Sequence, residues 1–119
     1  MKWNIEFHPA FVAEFREYSE KLQDGILAKS LLLEAFGPRL GRPHVDTLKN
    51  SRHVNMKELR LYVDNGVWRV AFAFDPERKA VLLVAGDKAS GSRKLFYKDL
   101  IRKADKRFDE HLSELDKGR

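Results

Sequence analysis

Arg60 and Arg69 are the two residues of this chain whose placement points most directly to chemistry. They lie in two apolar-rich runs, Met56–Val63 and Val67–Phe74. Between the runs stands Asp64-Asn65-Gly66, and Asn-Gly takes the positive φ values of a tight hairpin turn. Strand side chains alternate faces. In the second run Trp68, Val70, Phe72 and Phe74 point one way, and Val67, Arg69, Ala71 and Ala73 the other. In the first run Leu59, Leu61 and Val63 form the apolar row, opposite Glu58, Arg60 and Tyr62. Arg60 and Arg69 are therefore expected to share one face close to the hairpin end. Alanines beside them predict a shallow, positively charged hollow on an open sheet face, suited to a phosphate backbone.

Metal-free RNA cleavage needs few parts. A base activates the ribose 2′-hydroxyl, cations stabilise the crowded phosphorane, and an acid protonates the departing 5′-oxygen. Arg60, Arg69, Lys57, Lys88, Lys94 and Tyr97 are of the right types. Lys88 and Lys94 flank the basic loop Gly86–Arg93, and Tyr97 opens the last helical pattern. Of the four histidines, His44 and His53 lie in the basic segment 39–55, where an imidazole can act as a base near neutral pH. His8 sits at a strand end and His111 on the last helix, and the four show no metal-ligand spacing. A metal-dependent nuclease needs several converging carboxylates, and Glu58 is alone in the outer row of its strand. No metal and no cofactor is expected. The chain has no cysteine, which excludes disulfides, thiol catalysis and Cys-based zinc sites. Nucleophile-elbow, zincin, P-loop and dinucleotide motifs are absent.

Other elements must hold these residues. Trp3, Ile5 and Phe7 alternate as a short first strand, ended by His8-Pro9. Phe11, Val12, Phe15, Tyr18 and Leu22 recur at helical spacing, with a break expected at Asp24-Gly25. A second helix runs from Ile26 to Phe36 and stops at Gly37-Pro38. Segment 39–55 reads as a loop with at most one short strand near Val45–Leu48. After the hairpin, Asp75-Pro76-Glu77-Arg78 makes a turn into a third strand, Ala80–Ala85. Leu95, Phe96, Leu100, Ile101, Ala104, Phe108, Leu112 and Leu115 mark a long final helix. The fold class is α+β, in the order β-α-α-β-β-β-α, with an N-terminal helical hairpin and a C-terminal helix around an antiparallel sheet. The helices are expected on one face of that sheet.

At 119 residues one domain, 1–119, is expected, because two would each lack a core. The net charge of +5 favours polyanionic partners. The N-terminal residues lack the apolar run of a signal peptide, and no stretch reaches the length of a membrane span. A cytosolic protein without a membrane partner is expected.

The runs Asn55-Met56-Lys57-Glu58-Leu59-Arg60, Trp68-Arg69-Val70-Ala71-Phe72-Ala73-Phe74-Asp75 and Val81-Leu82-Leu83-Val84-Ala85-Gly86-Asp87-Lys88 together resemble the RelE/HigB branch of the RelE/ParE toxin superfamily, in its phage Gp49-like form. Gly41-Arg42-Pro43-His44, Leu48-Lys49, Ala104 and Arg107 fit as well. The resemblance implies a RelE-like fold and the toxin of a type II toxin–antitoxin pair. Such toxins enter the ribosomal A site and cut mRNA without a metal. The implied partners are the ribosome, mRNA and a cognate antitoxin, commonly a helix-turn-helix DNA-binding protein. Arg60 and Arg69 match the family's sheet arginines, and Lys57 and Lys88 match basic positions that vary between branches. The loop before Tyr97 carries no histidine or tyrosine, so Tyr97 and His53 are the acid–base candidates. Arg42, Lys49, Lys57 and Lys94 are the expected RNA contacts. Two other functions share this fold: a ParE-like inhibitor of DNA gyrase, and a non-catalytic binding module.

Overall fold

The computed structural model describes residues 2–89 and 91–118, and these form five strands and three α-helices. The order is β1 (Asn4–Phe7), α1 (Pro9–Arg16), α2 (Glu20–Phe36), β2 (Val45–Thr47), β3 (Met56–Val63), β4 (Gly66–Phe74), β5 (Lys79–Asp87) and α3 (Arg93–Lys117). A short 3₁₀ turn, Gly37–Arg39, follows α2. The sheet order is β1-β5-β4-β3-β2. The four later strands pair antiparallel, and β1 joins the edge of β5 in parallel. The fold is α+β with a mixed sheet. A parallel neighbour needs a long crossover, and the chain between β1 and β5 supplies it.

The break between α1 and α2 falls at residues 17–19 and not at Asp24-Gly25. Ser19 caps α2, its Oγ accepting the Leu22 N–H at 3.2 Å. Gly25 lies inside α2, where a Cβ would stand 3.1 Å from Leu61 Cδ1 and 3.3 Å from Val63 Cγ2. The glycine serves close approach of helix to strand and does not end the helix. The short strand expected near Val45–Leu48 is present as β2, and β5 and α3 each begin earlier than the apolar pattern alone suggests.

The two rows of the hairpin face as the alternation predicts. Leu59, Leu61, Val70, Phe72, Phe74 and Leu82 join Phe11, Leu22, Ile26 and Leu33 in one core beneath α1 and α2. Fully burying each such side chain is worth about 1.5–3 kcal/mol. The other face is not left open. Leu100, Ala104 and Phe108 of α3 pack on Met56, Ala71, Ala73, Val81 and Leu83. Alanines on the sheet and Ala104 on the helix are small enough for the two backbones to come close. The alanine row thus seats a helix and not a phosphate backbone, and only the Arg60/Arg69 end of that face continues beyond it.

A bulge in β5 sets this end. Ala71 pairs with Val84 and Phe72 with Leu82, so Leu83 is an extra residue. Leu83 and Val84 therefore both lie in the α3-side core. Arg69 then comes opposite Gly86, which underlies the first turn of α3: a Cβ there would be 2.7 Å from Phe96 Cε1.

Trp3 locks the start of the chain. Its ring meets Phe74 edge-on at 4.8 Å, the Arg78 guanidinium lies 4.5 Å over the ring, and the Trp3 backbone N–H donates to Glu34 O at 3.0 Å. Gly37, at φ 55°, leaves only 2.3 Å between a would-be Cβ and Trp3 Cδ1. Gly37→Ala carries the left-handed penalty and displaces the indole. The expected loss is about 2–4 kcal/mol, read as a lowered midpoint in urea denaturation. An unchanged midpoint would refute the packing of Trp3 on this turn.

Candidate active site

Cross-strand register places Arg60 directly opposite Arg69 on the α3 side of the sheet. Glu58, two residues before Arg60 on β3, pairs with Ala71 and points to the same face. The three charges meet where α3 begins. Arg60 Nε lies 3.4 Å from Glu58 Oε2 and Arg69 Nε 3.7 Å from Glu58 Oε1. Neither Nε forms a hydrogen bond among the described residues. Arg69 is only 1% exposed and Glu58 4%, whereas Arg60 reaches the surface. The Arg69 Nη1–H donates to Trp68 O at 3.0 Å, which aims the guanidinium along its own strand. Tyr97, from α3, donates its hydroxyl hydrogen to Glu58 Oε1 at 2.9 Å.

Two caps hold the loop between β5 and α3. Asp87 Oδ1 accepts the N–H groups of Val67 and Ala89, and Lys88 N–H donates to Val67 O at 2.7 Å. Ser92 Oγ then caps α3 by accepting the Leu95 N–H. Lys88 Nζ ends 5.9 Å from the centre of the Tyr97 ring, with the Arg93 guanidinium at 6.0 Å.

A cleft of about 320 Å³ opens beside this cluster, lined among others by Glu58, Arg60, Tyr97, Arg93, Lys49 and Arg42. Arg42 is tied to Asp46, Nη2 to Oδ2 at 2.8 Å. Burial raises the Glu58 carboxyl above its usual value, against the pull of Tyr97, Arg69 and Arg60. Burial likewise raises the Tyr97 hydroxyl. Lys88 is lowered, first by burial and then by repulsion from Arg69, Arg93 and Arg60.

Arg60, Arg69, Lys88 and Tyr97 thus come together, and Arg42 and Lys49 reach the rim. Lys94 sits one step outward on α3, in an adjoining cavity. His53 and Lys57 are elsewhere. His53 Nε2 meets Asp109 Oδ1 at 2.8 Å and its ring packs edge-on against Phe108 at 4.9 Å, further along α3. Lys57 pairs across from Phe72, so it points to the α1/α2 face and reaches Thr47 Oγ1. Segment 51–53 is bound to α3 through Ser51 to Asp105 at 2.5 Å and Arg52 to Asp109. Arg93 and Asn50 line the cleft without having stood out in the sequence. Glu58 was legible as an outer-row carboxylate, but not as the hub of two arginines and a tyrosine. Among the described residues no three His, Cys, Asp or Glu side chains gather as a metal site. No described helix is long and apolar enough to cross a membrane.

The family model for phage-derived Gp49-like proteins (DUF891) matches residues 13–109, most of the chain and all of this cluster. The chain belongs to this Gp49-like family. Over 92 residues this Gp49-like chain is 46% identical to a Mycobacterium tuberculosis protein named as toxin HigB2, covering 76% of the chain and 45% of that protein. It is 49% identical over 82 residues to one named as toxin HigB3 from the same organism, covering 69% of each. The chain therefore spans under half of the first relative and about two thirds of the second. A solved structure of a double mutant of E. coli toxin RelE in the free state superposes with a TM-score of 0.61. That match covers 90% of this chain and 98% of RelE at 15% identity, and it establishes the RelE-like fold of this Gp49-like toxin-family member.

The electrostatics of the cluster can be read directly. Arg60 lowers both Glu58 and Lys88, so Arg60→Ala is expected to raise both titrations. The Glu58 carboxyl and Lys88 Cε resonances followed by ¹³C NMR across pH would show it. Glu58 staying in place in the variant would mean that Arg60 does not act on it.

Proposed function

We propose that this chain is the toxin of a toxin–antitoxin pair and a metal-independent, ribosome-dependent mRNA endonuclease. The observation that carries the reading is a charge imbalance. Two opposed guanidiniums share one carboxylate at the edge of a cleft, and neither Nε has a hydrogen-bond partner among the described residues. Such a site lacks an anion, and a phosphodiester supplies one. The HigB names of its relatives and the surplus positive charge support the same reading.

The chemistry follows from the positions. Glu58, held by the Tyr97 hydroxyl, accepts the proton of a ribose 2′-hydroxyl. The 2′-oxygen attacks phosphorus and the bond from phosphorus to the 5′-oxygen breaks. Arg60 and Arg69 hold the non-bridging oxygens as charge builds on them. Lys88, whose hold on its proton is loosened by burial and by the neighbouring arginines, gives its proton to the departing 5′-oxygen. The products are a 2′,3′-cyclic phosphate and a 5′-hydroxyl. Arg42, Lys49 and Lys94 contact the RNA backbone. Lys57, on the other face, contacts ribosomal RNA. His53 fixes the segment that carries Lys49 and takes no part in proton transfer. The antitoxin, a helix-turn-helix protein, silences the toxin by covering this end of the sheet, and both work in the cytoplasm.

Cleavage of ribosome-bound mRNA, with 5′ ends mapped, is the test. Arg69→Ala is expected to lower single-turnover cleavage by about 10²–10³, and Glu58→Gln by about 10²–10⁴. Activity of the unaltered toxin should rise with pH as Glu58 loses its proton, and Glu58→Gln should lose that limb. His53→Ala should cost under tenfold, by the loss of a loop anchor, on the scale of about 1 kcal/mol for one hydrogen bond. Growth arrest with intact mRNA would reject the nuclease reading in favour of a target such as gyrase. Normal growth on expression of the folded chain would reject both for a binding module.

A further inference from the structure

Beyond the Arg60/Arg69 cleft, on the outer side of Tyr97, lies a second cavity of about 680 Å³. Asn50, Arg93, Tyr97 and Ile101 line both spaces, so the two are continuous across one partition. The walls differ in kind. Those of the first are mostly polar. The second is walled by the Tyr97 ring and the Ile101 side chain, which are half-buried and stand one turn apart on the same face of α3. Its rim carries Arg93, Lys94 and Lys98, none paired with a carboxylate among the described residues, and Arg102, paired with Asp99. At the mouth stands Asn50. Its backbone is left-handed, φ 74°, and its amide makes no hydrogen bond among the described residues. The backbone beside it is pinned to α3 through Ser51 and Asp105.

These features fit a nucleotide better than any other small anion. A flat apolar wall of one aromatic and one aliphatic side chain takes the face of a base. A free carboxamide offers a donor and an acceptor side by side, which is what a base edge presents. Cations around the mouth take the flanking phosphates. An inorganic anion would leave the apolar wall unused, and an acyl chain would leave Asn50 unused.

We infer that this cavity is a nucleobase subsite in which Tyr97 and Ile101 hold the face of one base and Asn50 reads its edge, making Asn50 a specificity-determining residue. The inference rests on RNA being the substrate of the neighbouring cleft. It assigns the base next to the phosphate held by Arg60 and Arg69, and Lys94 and Lys98 act on the backbone regardless of sequence.

The test separates the subsite from the cleavage reaction. 2′-O-methyl RNA hexamers lack the attacking hydroxyl, so binding is read without cutting. A set of hexamers varied through all four bases at each position is titrated with the full chain by fluorescence anisotropy. Asn50→Gly is the informative variant, because glycine accepts the left-handed backbone. The wild type is expected to separate the four bases at one position by about five- to tenfold, the size of one side-chain-to-base contact. Asn50→Gly should reduce that spread to within twofold at an unchanged melting temperature. The double variant Lys94→Ala/Lys98→Ala should weaken all hexamers alike, keep the spread, and lower the salt slope by about 1.5. Equal affinity for all bases in the wild type, no binding of any hexamer, or an undiminished spread in Asn50→Gly overturns the subsite. Base discrimination without cleavage of translated mRNA would leave the subsite standing and reject the nuclease reading alone.

Discussion

Everything at the candidate site depends on keeping the Arg69 guanidinium inside the protein. A cation with 1% exposure forfeits its hydration, and one buried carboxylate close by offsets part of that cost. Glu58 cannot satisfy Arg69 and Arg60 together. The hydroxyl of Tyr97 occupies one of its oxygens, and both arginine Nε groups go without a hydrogen bond among the described residues. Low local dielectric sharpens the consequence, because each unmet charge acts over a longer reach than it would in water. The site is held short of one negative charge by the same packing that makes the fold stable.

The final helix converts this local imbalance into a shaped site. Its middle residues, Leu100, Ala104 and Phe108, seat on the alanine row of the sheet. Its first turns then overhang the arginines and bring Tyr97 to Glu58. Further along, Arg107 clamps the helix to α1 through a two-pronged pair with Glu14, at 2.7 and 2.8 Å, and to the Leu83 carbonyl at 2.7 Å. That pairing holds Glu14 below the ordinary carboxylate range. Asp105 and Asp109 reach the other way and fasten segment 51–53, which ends one wall of the cleft. One helix thereby fixes the sheet side, the loop side and the aromatic partition of the site.

Much of this was legible in the residues. The period-2 alternation of β3 and β4 put Arg60 opposite Arg69 on one face, and the register agrees. The same alternation misled where it set alanines beside arginines. Small side chains on a sheet mark either an open hollow or a seat for a helix, and only the helical stripe of α3 decides between them. Gly25 was equally ambiguous, since glycine both ends helices and lets them approach a strand. The separation of His53 from the site was harder to foresee, because it depends on how the loop before β3 folds back on α3. That of Lys57 lay within reach of the alternation, which sets it in the row of Leu59 and Leu61. Glu58 was visible, but its partners lie 39 residues away at Tyr97 and across the hairpin at Arg69, beyond the reach of any local pattern.

The extra residue at Leu83 carries a consequence for what lengths of chain this architecture tolerates. Upstream of it, β5 sets Val81 and Leu83 toward α3; beyond it, the parity is exchanged, and Gly86 comes to lie beside Arg69. The same residues run on as a regular strand, without the bulge, would keep the upstream parity. Every following side chain would then turn over, sending Ala85 to the place of Gly86 beneath Phe96 and reversing Asp87, which tethers the Lys88 loop. The bulge is therefore as much a determinant of the site as any charged group: one residue gained or lost between it and Asp87 would flip the end of the strand, whereas loss of Leu83 itself would restore a regular ladder with the present partners.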